Sequence, residues 1–600
     1  MYSPRLYHKL PSPDSIRLLE LTQDDTHQSI CGHLVLSKLE DVPSFAALSY
    51  VWGCASSEDP ILKIDGFELK IRQSLRHALE AIVSGSEKML LWIDQICIDQ
   101  ENYAEREIQV ALMAKIFRQA QRVICWLGLD DENIKIAFDL SIVLAIDKSE
   151  PVPWKESMQR LIKAGIVRRI EDLVDPAKVP LPALAYLVKK TWFGRLWIVQ
   201  EVAFASKLEF RCGGVTIDGE LFFRTIRRIS SSLQNPPAPL LLEPFRHAVK
   251  LGQLRAQVAS ANPCSYPHLA HTFSTWDCTK LEDRLNALFG LAFPFISDST
   301  WFQPTYNLTG PELFTKFAKG HIKENGNLDI LHFSGCGDSE KYSMYYIGDV
   351  PVLNLNPPED DIPSWVPDWR VKSRPLVLLP DPGSGANSNF TATLSKADYF
   401  FDESEHKLHV RALLVDEIVA CGYPYYPSLC RDLQTTEHAI FEQWYELAKS
   451  YLDSDTFERM FSSTLVMDAR VTLTERGALN VEQHEIPTLF RYWQRLMMNE
   501  PVSYDPDEDL QLAEGSARYG YVAEELCRNR AMFITKGGRL GLGSTHVSAG
   551  ADIYLLHGLK TPFTVFETSQ GHLLRGECYV NGLMDQRVPT SESDTHIKLI

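Results

Sequence analysis

Several features common in secreted, membrane and nucleic-acid-binding proteins are missing from this sequence of 600 residues. Its 12 cysteines include no C-x-x-C pair, and their scatter predicts reduced thiols rather than a disulfide framework. The first residues contain no long apolar core, which argues against a secretory signal, and the longest aliphatic stretch, AFDLSIVLAI, is too short to span a membrane. The net charge of -18 disfavours nucleic acid and anionic membranes, because both attract basic surfaces. We therefore predict a cytoplasmic protein with neither kind of partner.

Common catalytic and metal-binding motifs are also absent. The sequence has no P-loop, no G-x-S-x-G and no H-E-x-x-H. Four residues have a spacing similar to that of zinc ligands: Cys264, His268, His271 and Cys278. Structural zinc sites usually bring paired ligands on tight turns separated by a longer gap, which this segment lacks. We predict no metal site and no bound cofactor.

Residues 1 to about 215 alternate between strand-like and helix-like patterns. Apolar runs at 45–53, 88–99 and 122–128 predict buried strands, of which the second continues into a polar loop. Apolar residues at helical spacing in 104–120 predict a helix with a wide buried face. Strand–helix–strand order of this length is typical of right-handed crossovers. The sequence therefore predicts an α/β domain built on a parallel sheet.

The rest of the chain divides at a loop-like stretch rich in proline, glycine and asparagine, residues 351–389. We predict an N-terminal domain over 1–215 with its core at 45–205, and a mixed helix and loop region over 216–395. The remainder, 396–600, is predicted to be a β-rich C-terminal domain. Its short apolar runs with glycine turns are typical of a small β-barrel or sandwich, and a helical insert is predicted over roughly 437–500.

Four stretches resemble the fungal heterokaryon incompatibility (HET) domain. They are FAALSYVWG at 45–53, LWIDQICIDQENYAEREIQVALMAKIFRQAQRVICWLG at 91–128, WFGRLWIVQEVAFA at 192–205 and KLEDRLNALFGLA at 280–292. The resemblance implies a role in non-self recognition, in which fusion of incompatible hyphae triggers programmed cell death. It also implies an unidentified incompatibility partner protein and, since a constitutive killer would harm its host, activation by homo-oligomerisation through the HET domain.

HET domains are in turn similar to TIR domains, many of which cleave NAD⁺. This similarity implies a TIR-like parallel sheet with flanking helices, and NAD⁺ as a substrate rather than a cofactor. Catalytic TIR domains carry a tryptophan four positions before the catalytic glutamate on a helix, and WIVQE places Trp197 and Glu201 at that spacing. The resemblance therefore implies that Glu201 is catalytic, and the catalytic assignment rests on this residue alone.

The chemistry of NAD⁺ hydrolysis suits a single carboxylate. Nicotinamide leaves as a neutral ring from a cationic pyridinium, so it needs little acid help, and a carboxylate beside the ribose stabilises oxocarbenium charge. A tryptophan at i, i+4 spacing from Glu201 lies on the same helix face and can stack a flat ring. The alternative is that Glu201 pairs with Arg195 or another cation and that Trp197 belongs to the core.

Ligands of open parallel sheets bind beyond the carboxyl ends of the strands, so the loops after the predicted strands hold further candidates. Asp94, Gln95 and Asp99 follow one strand and can hydrogen-bond ribose hydroxyls. Alternatively, Asp94 bonds loop amides or pairs with Arg106. Asp99 alternatively forms an Asx turn or caps the next helix.

The first strand and two arginines complete the predicted binding set. Tyr50 and Trp52 share one side of their strand by its two-residue period, and they either wall the cleft or pack in the core. Gly53 predicts a positive φ or a close backbone approach. Arg106 and Arg195 either bind phosphate groups or form structural ion pairs. Two functions stay open: an NAD⁺ glycohydrolase, or a non-catalytic module that binds a partner and transmits the death signal by assembly.

Overall fold

The structure is a computed structural model. It describes residues 6–23, 30–83, 89–145, 154–168, 181–232, 243–261, 265–292, 301–335, 344–347, 350–353, 362–372, 374–379, 390–392, 395–402, 406–426, 437–452, 454–471, 481–497, 509–585 and 594–600.

The N-terminal region is built on a mixed sheet of nine strands. They are β1 (Ser15–Gln23), β2 (Ile30–Lys38), β3 (Ala46–Tyr50), β4 (Ile61–Ile64), β5 (Phe67–Lys70), β6 (Leu90–Trp92), β7 (Arg122–Trp126), β8 (Leu208–Cys212) and β9 (Val215–Asp218). Their order across the sheet is β5-β4-β2-β1-β6-β3-β7-β8-β9. The central strands β6, β3, β7 and β8 run parallel, whereas β1 joins β6, and β9 joins β8, in antiparallel fashion. The predicted parallel sheet is thus confirmed for the centre. On the flanks β2 and β4 form a further parallel pair, but the other pairs are antiparallel, so the prediction is wrong for them.

Seven helices accompany this sheet. They are α1 (Gln73–Val83), α2 (Asp94–Cys97), α3 (Tyr103–Gln119), α4 (Glu132–Leu144), α5 (Trp154–Lys163), α6 (Leu181–Val188) and α7 (Ile198–Phe204). Side chains of α1 pack with Leu91 and Ile124 in one hydrophobic cluster, while α3, α4 and α7 pack with Ala47 and Val123 in another. The central strands are therefore covered on both faces, which explains their continuous apolar runs.

The strand predicted to run through residues 88–99 is shorter than expected. β6 ends at Trp92, and Ile93 is the last extended residue, with φ -136° and ψ 115°. The amides of Ile96 and Cys97 both donate to the Ile93 carbonyl, at 3.0 and 2.7 Å. These bonds close the single helical turn α2, so the predicted polar loop is wrong for Asp94–Cys97. The period of apolar residues in the sequence does not distinguish such a turn from a strand end.

The middle region supplies helices and a small hairpin. Its elements are α8 (Gly219–Ser232), α9 (Arg246–Ala259), α10 (Tyr266–Thr272), α11 (Asp283–Asn286), α12 (Gly310–Asn325), β10 (Met344–Ile347) and β11 (Val350–Leu353). α9 lies against α7 and α8, and α8 lies against α4. One hydrophobic cluster contains Phe222, Leu251 and Phe317 together with Val123 of the N-terminal sheet. The middle region therefore shares its core with that sheet, and the domain limits stay a prediction.

The C-terminal region is rich in β-structure. Its strands are β12 (Tyr399–Asp402), β13 (Lys407–Cys421), β14 (Arg530–Thr535), β15 (Leu540–Ser544), β16 (Asp552–Leu556), β17 (Phe563–Glu567), β18 (His572–Glu577), β19 (Tyr579–Val580) and β20 (Thr595–Leu599). β13 pairs with both β16 and β20, and β17 and β18 connect those two strands. Five strands thus pair in a closed ring, which has the character of the predicted small barrel.

The helical insert between β13 and β14 is longer than predicted. It contains α13 (Glu437–Tyr451), α14 (Ser454–Leu465), α15 (Ile486–Met497) and α16 (Asp509–Cys527). α16 contains Gly515 and Gly520, which are helix-weakening residues in a sequence pattern. A side chain at Gly520 would collide with Trp493 of α15, and one at Gly515 would lie 2.9 Å from Leu489. These glycines permit close helix packing. No helix among the described residues has the length and hydropathy to cross a membrane.

Candidate functional site

The carboxyl ends of β3 and β6 meet at one edge of the sheet, and polar side chains join the two segments that follow. The indole nitrogen of Trp52 donates to both oxygens of Asp94, at 2.9 and 3.1 Å. The hydroxyl of Tyr50 donates to the side-chain oxygen of Gln95 at 2.8 Å. Four of the predicted binding residues are therefore in direct contact, as expected for side chains that follow neighbouring parallel strands.

Asp94 is tied to its own loop as well as to Trp52. Its side chain accepts from the amide of Gln95 at 2.7 Å, and its carbonyl accepts from the Gln100 side chain at 2.7 Å. Burial raises the pKa of Asp94 to about 6, while the charge of Arg195 and the hydrogen bonds from Gln95 and Trp52 lower it. The alternative of a bond to a loop amide is thus realised. Asp94 is a half-buried carboxyl whose pKa lies above that of an ordinary aspartate.

Glu201, in α7, points into the protein towards this cluster rather than into solvent. It is 4% exposed, and burial raises its pKa to about 7, with a smaller upward effect from the charge of Asp94. Arg195 and a hydrogen bond with Ser49 lower the pKa. The Oε2 atom of Glu201 is buried and has no hydrogen-bond partner among the described residues. A buried polar atom without a partner is costly, so it calls for an explanation.

Ser49 and Arg195 connect Glu201 to the strand ends. The Ser49 hydroxyl accepts from the indole nitrogen of Trp192 at 2.8 Å and hydrogen-bonds Glu201. The guanidinium of Arg195 donates to the carbonyl of Tyr50. The charge of Arg195 lowers the pKa of both Asp94 and Glu201. One cation therefore acts on both carboxyls, and the charge of Asp94 couples the titration of Glu201 to its own.

Trp197 has a partner other than this cluster. It immediately precedes the first residue of α7, and its indole nitrogen donates to Asp283 of α11 at 3.2 Å. The helix that carries Glu201 begins only at Ile198, because a 3-10 helix at Thr191–Gly194 and a β-bridge between Arg195 and Asp277 precede it. The described contacts of Trp197 therefore link it to the middle region, as in the alternative interpretation of this tryptophan.

Asp99 shapes the loop before α3. Its side chain accepts from the amide of Glu101 at 3.2 Å, which is the geometry of an Asx turn. The helix cap is Asn102, which accepts from the amide of Glu105 at 3.2 Å, so the prediction of Asp99 as a cap is wrong. Asn102 reaches that amide because it lies directly before the first helical residue, whereas Asp99 lies three positions earlier.

Arg106 and Gly53 lie at the periphery. The Arg106 guanidinium lies over the rings of Tyr103 and Tyr306, 4.6 and 4.3 Å from their centroids. Asp94, one of its predicted partners, instead bonds Trp52, so the predicted Asp94–Arg106 pair is wrong. The two ring faces attract the Arg106 charge by cation–π interaction, while its Nε and Nη2 atoms are buried without a hydrogen-bond partner among the described residues. Gly53 has φ 76°, which confirms the predicted positive φ, and the space around its α-carbon is open.

Two contributors to the site were missed. Ser49 is a polar residue inside the apolar run FAALSYVWG, and that interruption of a buried strand was a usable signal. Asp283 lies far along the chain, and no local pattern connects it to Trp197. Cys97, between the two aspartates, is buried, and burial raises the pKa of its thiol to about 12, so it is unsuited to nucleophilic chemistry.

In the described part of the chain, no group of three or more His, Cys, Asp or Glu side chains is arranged to hold an ion. That the protein has no metal site stays a prediction. Of the four residues with zinc-like spacing, Cys264 lies outside the described residues. His268 approaches the Ser265 hydroxyl with Nδ1 at 2.5 Å and the Leu379 carbonyl with Nε2 at 3.1 Å.

The strand ends described above lie within the part of the chain that matches a known protein family. Residues 45–201 match the family model described as heterokaryon incompatibility protein (HET), as the motifs of the sequence predict. It is 24% identical to "Heterokaryon incompatibility protein 6, OR allele" of Neurospora crassa over 673 aligned residues, which cover 95% of this chain and 94% of the relative. No solved structure matches the chain, and the likeness to TIR domains stays a prediction.

Proposed function

We propose that this chain is a fungal incompatibility protein that triggers programmed cell death, and that its HET domain does so by hydrolysing NAD⁺ with release of nicotinamide. The similarity to a relative named heterokaryon incompatibility protein 6 supports the biological role. The observation that carries the chemistry is the buried Glu201 carboxyl, whose Oε2 atom has no partner, beside Asp94 and Arg195 at the strand ends.

Each group has a role suited to N-glycosidic cleavage. The Glu201 carboxylate stabilises oxocarbenium charge on the ribose, where a desolvated carboxylate is more effective than one in water. Asp94 accepts hydrogen bonds from ribose hydroxyls in place of the Trp52 indole. Arg195 offers a guanidinium to the pyrophosphate. Because Glu201 is almost fully buried, the site must open to admit the substrate, which fits a protein that is silent until activated by self-association.

The test is release of nicotinamide from NAD⁺ by the purified full-length chain, both free and clustered on an oligomerising fusion. Wild type should release nicotinamide when clustered. Glu201→Gln should lose at least a hundredfold in rate, since removing one charge-stabilising group from an enzyme site costs about 10²–10³ in kcat. The exposed Glu40 provides the matched control, because Glu40→Gln removes the same charge far from the site. No release by clustered wild type rejects the proposal of hydrolysis.

The burial of Glu201 also favours the second candidate, a non-catalytic module that binds a partner and transmits the death signal by assembly. In that function the network of Tyr50, Trp52, Asp94 and Arg195 holds the strand ends rigid, and Glu201 is a structural group. Expression in a fungal host separates the two candidates. Cell death that persists at wild-type level with Glu201→Gln, at equal protein abundance, supports assembly and contradicts hydrolysis.

A further inference from the structure

Two segments of the middle region, residues 277–292 and 301–307, lie against both elements that frame the candidate site; we name them the clamp segments. The first holds the chain just before α7. The amide of Leu196 donates to the carbonyl of Asp277 at 2.9 Å, and the amide of Asp277 donates to the carbonyl of Gly194 at 2.6 Å. These bonds form the parallel β-bridge between Asp277 and Arg195. Arg195 is the residue whose charge acts on both Asp94 and Glu201, and its backbone is held by a segment outside the matched residues 45–201.

Asp283 makes the second connection. Its Oδ2 atom accepts from the Trp197 indole nitrogen at 3.2 Å, and its Oδ1 atom accepts from the Tyr306 hydroxyl at 2.8 Å. The residue is 6% exposed, and burial raises its pKa while these two donors lower it. The two oxygens of Asp283 therefore bind two different parts of the protein, Trp197 just before α7 and Tyr306 in the second clamp segment. A buried carboxyl with such divided bonding couples the positions of its two partners.

Tyr306 connects Asp283 to α3. This helix follows the segment of residues 94–102, which begins with α2 and is called the Asp94 loop below. The amide of Tyr306 donates to the side chain of Glu107 at 2.8 Å, and its ring lies under the Arg106 guanidinium at 4.3 Å. The hydroxyl of Thr305 adds a bond to the same Glu107 oxygen at 3.0 Å. One continuous set of contacts therefore runs from the start of α7 through Asp283 to the start of α3.

We propose that Asp283 is a positioning residue of the candidate site, which fixes α7, and with it Glu201, relative to α3 and the Asp94 loop. It touches neither Glu201 nor Asp94, and it acts through Trp197 on one side and Tyr306 on the other. Its importance for catalysis rests on the proposed function, whereas its effect on the burial of Glu201 does not. The middle region is thereby part of the site.

The test uses the full-length chain with Asp283→Ala and Asp283→Asn. Hydrogen exchange of peptides covering 191–204 and 90–103 reports on the two sides of the site. Asp283→Ala should speed exchange on both sides by about tenfold, since it leaves two partly buried donors, Trp197 and Tyr306, without an acceptor. Asp283→Asn should behave like wild type, because its oxygen accepts from Trp197 and its amide donates to the Tyr306 oxygen. Glu282→Ala, at the adjacent and more exposed carboxylate, is the matched control.

The apparent pKa of Glu201 is the measurement that a merely local role would not change. Hydrogen exchange is measured against pH for each variant and for the same variant that also carries Glu201→Gln. The midpoint of the difference between the two curves gives the apparent pKa of Glu201. In Asp283→Ala water should reach Glu201, and the midpoint should move down from about 7 towards the ordinary glutamate value of 4.5. An unchanged midpoint, or faster exchange confined to residues 277–292, overturns the proposal.

Two further variants and assays keep the test decisive. If Asp283→Ala does not fold, Tyr306→Phe removes only one of the two bonds and should give a smaller loss of protection on both sides; no change would count against the proposal. If wild type releases nicotinamide, Asp283→Ala should slow release and Asp283→Asn should restore it. If wild type releases none, the proposed hydrolysis fails while the exchange measurements still decide the role of Asp283.

Discussion

The buried Glu201 carboxyl should make the candidate site less stable as pH rises through neutrality, and Glu201→Gln should remove this dependence. The native pKa of about 7 lies above the ordinary value of 4.5, so the folded site binds the proton more tightly than the unfolded chain. For a raised carboxyl pKa the stabilising proton is fully present below 4.5 and lost as pH rises to about 7. The difference between these two pKa values corresponds to a loss of about 3 kcal/mol in the free energy of opening the site, or roughly a 300-fold change in the opening equilibrium.

Local opening is the appropriate quantity, because a chain of this size is not expected to unfold in one step. Hydrogen exchange in peptides covering β3 and α7, corrected for the intrinsic pH dependence of exchange, gives the opening free energy between pH 5 and 8. The advantage of Glu201→Gln over wild type should grow with pH and level off above about 7. Glu40→Gln, at an exposed site, should follow wild type throughout.

The pH dependence also contains a contribution from Asp94, because the charge of Asp94 raises the pKa of Glu201 and the two groups titrate together. Comparing Asp94→Asn with the Asp94→Asn/Glu201→Gln double variant isolates the contribution of Glu201. The reasoning would be refuted if Glu201→Gln changed the opening free energy by the same amount at every pH, both in the wild type and in the Asp94→Asn variant. That result would mean that Glu201 is either ionised throughout or accessible to water.

Two further predictions concern neighbouring groups. Trp52→Phe removes the indole donor to Asp94, so the pKa of Asp94 should rise above about 6. Hydrogen exchange in residues 90–100 should then depend more steeply on pH, and Asp94→Asn should abolish this dependence. Glu105→Ala removes the carboxylate partner of the buried Arg17, 2.5 Å away, and leaves it the carbonyls of His8 and Cys97. The loss of the countercharge should destabilise the N-terminal region by about 3–5 kcal/mol, seen as a lower thermal midpoint. The double replacement Arg17→Met with Glu105→Leu should cost much less; an equal loss would contradict the ion-pair explanation.

Local sequence patterns predicted the central strands well, because those strands are short, apolar and bounded by turn residues. β3 and β7 fall inside the predicted runs, and α3 differs from its predicted limits by one residue at each end. The rule that ligand groups collect beyond parallel strands also placed Tyr50, Trp52, Asp94 and Gln95 in one region. Their contacts follow from strand order, which the strand–helix–strand pattern largely determines.

The sequence was less informative where the partner of a side chain lies far along the chain. The spacing of Trp197 and Glu201 suggested a shared helix face, but spacing says nothing of the bridge from Asp277 that fixes the chain before α7. Asp283 lies in one of the four stretches that resemble the HET domain, but the resemblance gave it no role, and its bonds to Trp197 and Tyr306 arise from tertiary packing. Such pairings depend on how whole segments dock, and docking of the clamp segments is set by a core shared between the middle region and the sheet.

This shared core changes how the HET region should be regarded. The family match ends at residue 201, at the candidate catalytic glutamate, whereas the contacts that hold the start of its helix continue through Asp283 to Tyr306. Burial is the main cause of the raised pKa of Glu201, so the electrostatics of the site depend on segments beyond the match. A carboxyl whose ionisation depends on the docking of a neighbouring region gives that region control over the site, whether the site hydrolyses NAD⁺ or assembles with a partner.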